Sequence, residues 1–176
     1  MPFLAAALAM PFSLGGVLGA RPARSAEPAG TKPAWGPVLS GNAWLNGRPP
    51  PASLAGRVVL VDIFTFECIN CTRVVPNLKT LHARYSAHDL AIVGVHAPEV
   101  PSYQASLGYV ARNARAQELR WPVVLDNDFR VWKAFDVDAW PTQLLFDRRG
   151  RLRERIVGDS QDERLNSAIA RLVAER

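Results

Sequence analysis

The chain of 176 residues is 48% hydrophobic and 21% charged, enough apolar material for one globular domain to bury its own core and too much for a disordered chain. Its net charge of +5 falls to +3 once residues 1–26, with two arginines and no acid, are set aside. The basic side chains are scattered except in RRGRLRER, residues 148–155, and no aromatic ladder is interleaved with them. Nucleic acid is therefore excluded as a partner, and the run reads as a solvated hairpin or a contact for an acidic partner or headgroup.

Residues 3–20, FLAAALAMPFSLGGVLGA, carry no charge and read as the apolar core of an export signal, with small residues near Ala20 and Ala26 as cleavage points. The nearest basic side chains, Arg21 and Arg24, follow the run rather than precede it, so residues 1–26 are either cleaved or kept as an N-terminal anchor. Pro11, Gly15 and Gly16 argue against a stable spanning helix. Export places the protein in a periplasmic or exoplasmic compartment, where disulfide chemistry is permitted.

Residues 27–40, EPAGTKPAWGPVLS, have the composition of a linker, and the folded domain is expected over 41–176. AWLNGRP predicts a short strand turning at Asn46-Gly47, and residues 57–65 a strand buried on both faces. Val74, Val75, Leu78, Leu81 and Tyr85 recur at helical spacing, which puts Cys71 in the first turn of a helix that Pro76 should kink. LAIVGV, residues 90–95, is a second buried strand. A helix capped by Ser102 and carrying Tyr103, Leu107, Val110, Ala111 and Ala114 follows. VVLD is a short strand, leading to a helix over 129–135 capped by Asn127 or Asp128. Residues 143–146 and 152–157 flank DRRG as a hairpin, and Ser160 with Glu163 forms a capping box for a last helix burying Leu165, Ala168, Ile169, Leu172 and Val173. This order implies a mixed central sheet between layers of helices.

The two cysteines, Cys68 and Cys71, sit two residues apart where the first buried strand gives way to a helix. A thiol at a helix start meets unpaired amide hydrogens and the positive end of the helix dipole, which stabilise its thiolate. A second thiol one turn later can attack a mixed disulfide formed at the first. That chemistry needs no cofactor.

VDIFTFECINC, with Pro76 five residues after Cys71 and the later AWPT, resembles the thioredoxin-like superfamily. VGVHAPE, LDNDFRVWKAF and AWPTQLLFDRRG are similar to the branch of TlpA-like and DipZ-like exported thiol-disulfide oxidoreductases. The resemblance spans about residues 41–160. It implies an α/β three-layer sandwich with a short N-terminal strand extension, and a protein disulfide reductase in which Cys68 attacks and Cys71 resolves. Trp140 and a cis Pro141, with Ile69 and Asn70, would line the substrate groove. Asp62 falls where such proteins keep a buried acid that shuttles the inner thiol's proton; partner-poor burial would raise its pKa. The plainer reading is a strand acid paired with a base. The partners implied are exported protein thiols and disulfides and an upstream dithiol donor, with a monomer expected.

Glu67 departs from that pattern, which has tryptophan or another uncharged residue before the first cysteine. Its charge opposes an anion at Cys68 and predicts a reductant or isomerase rather than a strong oxidase. Three rivals remain. A zinc site from Cys68, Cys71, His82 and His88 would need ligands about 16 Å apart along one helix. A copper chaperone would use His96 beside the sulfurs, and a peroxiredoxin-type peroxidase would pair Thr65 with Cys68, although Val61 stands where its proline belongs.

Overall fold

Two seven-residue runs, VVLVDIF and LAIVGVH, contain almost nothing but β-branched, small and apolar residues, and they form the centre of the sheet. In the computed structural model, which describes residues 33–85 and 88–175, they are strands β2 (Val58–Phe64) and β3 (Leu90–His96), parallel and buried at every position. Around them lie β1 (Trp44–Leu45), β4 (Val123–Leu125), β5 (Thr142–Phe146) and β6 (Leu152–Val157), in the order β1-β4-β3-β2-β5-β6. The β2–β3 and β3–β4 pairs are parallel; β1, β5 and β6 join antiparallel. This is the mixed, helix-flanked sheet that the element order implies, and its architecture is the one that the resemblance leads one to expect.

The helices are α1 (Pro51–Leu54), α2 (Ile69–Tyr85), α3 (Pro101–Gln104), α4 (Leu107–Ala116), α5 (Arg130–Ala134) and α6 (Asp162–Ala174). Alternation along β2 divides the core in two. Val58, Leu60 and Phe64 face a layer built from α2, α4 and α6, through residues such as Leu78, Val110 and Ile169. Val59, Val61 and Ile63 face the other layer, with Leu54 of α1 and Val131 and Phe135 at α5. By the same alternation Asp62 points to the α2 side. Pro76 is accommodated inside α2, leaving the helix continuous.

Four local expectations are corrected. The helix expected from Ser102 onward is broken in two, and its cap is Ser106, whose Oγ accepts from the Tyr109 amide at 3.1 Å. The cap of α5 is not Asn127 or Asp128 but buried Asp126, whose two carboxylate oxygens accept from the Val131 and Trp132 amides at 2.9 and 2.8 Å. No capping box forms at α6: Ser160 lies at φ 60 and Gln161 precedes the helix without a side-chain cap bond. Proximity in sequence suggested each cap, whereas the path of the preceding loop decides which side chain reaches the free amides.

The fourth concerns the linker. From Pro33 on, residues read by composition as spacer are folded onto the domain: a 3-10 turn (Gly36–Ser40) presents Val38 and Leu39 to the core beside Trp35, which is 4% exposed. The Ala34 amide donates to the Gly150 carbonyl at 2.8 Å. Gly150, at φ +74, leaves the space Pro33 fills, since a Cβ there would lie 2.6 Å from the proline Cβ. The export segment and residues 27–32 lie outside the described residues.

The basic run 148–155 is largely consumed by local pairing. Arg148 reaches Asp89 at 2.6 Å, Arg151 and Arg153 share Asp147, and Arg155 donates to the Phe135 carbonyl.

If the 33–40 segment belongs to the folded unit, Trp35→Ala should cost about 3–5 kcal/mol in urea unfolding. A loss below about 0.5 kcal/mol would return the segment to the status of a spacer.

Candidate active site

Between β2 and α2 the chain makes one tight turn, Thr65 to Cys68, closed by the Cys68 amide donating to the Thr65 carbonyl at 3.4 Å. Cys68 is the residue before the first turn of α2 and no Ser, Thr, Asp or Asn stands in that position, so its sulfur acts as the cap. The Cys71 amide donates to Cys68 Sγ at 3.2 Å, the bond that a capping oxygen ordinarily accepts from the third helical residue. An anionic sulfur would strengthen it, because the donor sits at the positive end of a 17-residue helix.

The two sulfurs meet different surroundings. Cys68 is partly exposed, and Cys71 is buried at 3%; both are free thiols. Burial pushes the Cys71 thiol well up from its ordinary range, and the adjacent Cys68 sulfur and the charge of Asp62 push it further, against a smaller pull from the Thr65 backbone. Cys71 therefore needs a base before it can attack.

Asp62 is placed to be that base. It is 3% exposed on the central strand, facing the α2 side, and its Oδ1 has no hydrogen-bond partner among the described residues. Burial raises its pKa to about 7, drawn back in part by the side chain of Gln143, its cross-strand neighbour on β5. That contact is too loose to be a hydrogen bond, since Gln143 Nε2 is also buried without a partner. The plainer reading of Asp62, an acid paired with a base, does not describe this site.

Trp140 and Pro141 approach from the loop before β5, and their peptide bond is cis. The Cys68 thiol lies 3.8 Å from the Trp140 carbonyl oxygen, which it reaches as a donor. The Trp140 indole is fixed by donation to the Ala97 carbonyl at 3.1 Å and by the Trp132 ring 4.5 Å away. Ile69 is 64% exposed, and Asn70 Oδ1 accepts from Arg73 at 3.1 Å. Structure thus gathers Cys68, Cys71, Asp62, Glu67, Ile69, Asn70, Trp140 and Pro141 around one strand-to-helix junction.

The ligands of the rival readings are scattered. His96 is fully buried at the end of β3, stacked on Phe66 at 5.4 Å, with both ring nitrogens unpartnered among the described residues; burial lowers its pKa to about 4, so the ring is neutral. His82 lies beside Trp121 on the far part of α2. Among the described residues no three His, Cys, Asp or Glu side chains are placed to share a metal ion. Thr65 Oγ1, the peroxidase candidate, is spent on Gln104 at 3.2 Å.

Sequence reasoning missed Tyr109, whose hydroxyl donates to Glu67 Oε1 at 2.5 Å, and Gln104, which is fully buried and also accepts from the Val100 amide. Only the true cap, Ser106, reveals the helical register that swings Tyr109 over the junction.

The thioredoxin-like family profile matches residues 56–152. Curated relatives include NHL repeat-containing protein 2 of Bos taurus, 37% identical over 133 residues, and protein DipZ of Mycobacterium tuberculosis, 35% identical over 128. These matches cover 71% and 70% of this chain but only 18% of each relative. The thiol-disulfide oxidoreductase YkuV of Bacillus subtilis is 28% identical over 141 residues, covering 79% of this chain and 94% of the relative. A solved thioredoxin-like protein in its oxidized form superposes with a TM-score of 0.72 at 28% identity, over 81% of this chain and 95% of that one.

A carboxyl raised to about 7 inside the protein and near 3.9 when unfolded binds its proton more tightly in the native state, so folding is favoured fully below pH 4 and progressively less as pH climbs through 7. Above pH 8 that penalty is on the order of 4 kcal/mol. Asp62→Asn should therefore stabilise the reduced protein at pH 8 by a few kcal/mol and flatten the decline between pH 4 and 7. Parallel wild-type and variant curves in urea would refute the burial of an ionisable Asp62.

Proposed function

The chain belongs to the thioredoxin-like family, and on that premise we propose that it is a thiol-disulfide oxidoreductase that reduces or isomerises disulfides of exported proteins. The observation that carries the reading is the capped, partly exposed Cys68 sulfur with a buried Cys71 three residues on and an unpartnered buried acid behind it. YkuV, matched over nearly its full length, carries the same activity in its name.

The Cys68 thiolate attacks one sulfur of a client disulfide; a mixed disulfide forms and the client's other sulfur leaves as a thiolate. Asp62, ionised above about pH 7, takes the Cys71 proton. The Cys71 thiolate then attacks Cys68 Sγ, breaks the mixed disulfide and releases the second client sulfur. Two electrons pass from the dithiol to the client, and the Cys68–Cys71 disulfide that remains is reduced again by a dithiol donor upstream. Trp140 and Pro141, with Ile69 and Asn70, form the groove in which the client backbone lies. One copy of the chain carries every group named, so exchange requires no second copy.

The charge of Glu67 beside Cys68 favours the reducing direction, because it disfavours the dithiolate relative to the neutral disulfide. The apolar run over residues 3–20 supports export, with the domain cleaved free or held at the membrane by that segment. Among the described residues no helix is long and apolar enough to cross a membrane.

Four outcomes follow. Cys68→Ser abolishes reduction of a protein disulfide, and Cys71→Ser expressed in the native compartment accumulates a mixed disulfide through Cys68. Recovery of no Cys68-dependent adduct would overturn the exchange reading. Asp62→Asn slows the resolving step about a hundredfold at pH 7, with the mixed disulfide persisting in stopped-flow traces. The midpoint potential lies below about −200 mV; a value near −120 mV would make the protein an oxidase instead.

A further inference from the structure

Beside the exchange site is a corner that the reaction itself does not use. Glu67, exposed and immediately before Cys68, has one carboxylate oxygen engaged by Tyr109 Oη at 2.5 Å. The Tyr103 ring stands edge-on to Tyr109 at 5.6 Å, with 49% of the residue exposed. Its hydroxyl accepts from Gln104 Nε2 at 3.3 Å. Gln104 is fully buried and tied at its other end to the Thr65 hydroxyl and the Val100 amide, so the corner is held from beneath by the junction that carries Cys68.

A carboxylate with one oxygen spare, held by one phenol against which a second ring packs edge-on, is the chemistry that receives a guanidinium or ammonium: an ion pair to the carboxylate and a cation–π contact to a ring. Tyrosine donation fixes the carboxylate without neutralising it. Ile69, Val100 and Leu107, each more than 40% exposed, supply apolar surface on the adjoining turn and helix starts for the rest of a bound segment. Since neighbouring Cα atoms are about 3.8 Å apart, a side chain lodged against Glu67 belongs to a residue within about two positions of the sulfur being attacked at Cys68.

We propose that Glu67, Tyr103 and Tyr109 form a subsite for an arginine or lysine of the client within two residues of its reactive cysteine, an inference that rests on the exchange reading and adds a client preference to it. The subsite makes the charge before Cys68, which works against the attacking anion, serve client selection.

The test uses the reduced full-length protein and three disulfide-linked peptides identical except for Arg, Ser or Glu next to the cysteine. At low salt kcat/KM should fall in the order Arg, Ser, Glu, with the first and last separated by on the order of tenfold. The ratio should shrink toward unity at 0.5 M salt, where the Debye length is about 4 Å, and in Glu67→Gln, and should narrow in Tyr103→Ser. Because each protein is scored by its own ratio, a general loss of activity in a variant cancels. Equal rates for the three peptides, or an Arg preference surviving in Glu67→Gln, would overturn the subsite while leaving exchange intact. Failure to reduce any peptide would overturn the exchange reading and the subsite with it.

Discussion

The structure turns on one hydrogen bond, from the Cys71 amide to the sulfur of Cys68. Capping by a sulfur fixes three things together. The helix begins at Ile69, the first thiol faces the positive end of the dipole, and the second thiol is brought one turn inward, where it is buried. An oxygen cap would satisfy the amide equally well and do no chemistry. The junction can be this tight because β2 is clamped on both edges, in full register with β3 and with β5, so Thr65 leaves the sheet from a fixed position. The loop carrying Trp140 is fixed independently, by its indole bond to the Ala97 carbonyl just beyond β3. The sulfur therefore sits between two supports that both trace back to the central strands.

Asp62 shows the cost of that placement. A polar group buried without a partner destabilises a fold, and natural cores rarely keep one. Here the carboxyl stands on the central strand opposite Gln143, whose amide nitrogen is likewise buried without a partner among the described residues. A leucine would pack the position at less expense. The proposed proton transfer gives an acid a use there, and Cys71, whose thiol burial pushes well up, lies on the same side of the sheet. The neutral, unpartnered ring of His96 is a second buried polar group on the same floor, but it is packed among Phe64, Phe66 and Tyr109 and makes no bond to the pair.

The sheet was legible because strands buried on both faces leave long apolar runs, and the spacing of Val74, Leu78 and Leu81 can belong only to a helix. The pair of cysteines was legible from the strand-to-helix change that sets their positions, whereas Asp62 stood out only through the resemblance to the thioredoxin-like superfamily, since strand pattern alone leaves an acid there open to an ordinary ion pair. Caps were not legible. Asp126, Ser106 and the cysteine itself each reach their amides through loop paths that pattern does not encode, and the Ser160 and Glu163 pair, which satisfies the sequence rule, makes no cap because Ser160 adopts a left-handed backbone. Nor was the docking of Pro33 and Trp35, since a Pro- and Gly-rich stretch has the same composition whether it hangs free or fits a turn glycine. Tyr109 escaped for the same reason as Ser106.

The two carboxylates near the sulfurs differ in every physical respect, and the difference separates their work. Asp62 is buried, unpartnered and titrates near neutrality, so it is suited to moving a proton and poorly suited to holding a charged ligand. Glu67 faces solvent and is anchored by a phenol, so its field reaches an approaching chain before any contact forms, while water screens much of its effect on the sulfur beside it. Screening decides the balance. At the surface the attraction for an incoming cation and the repulsion of the neighbouring anion are both weakened, and the repulsion is partly offset by the Cys71 amide. An acid next to a nucleophilic sulfur is then tolerable at an exposed position and would not be at a buried one.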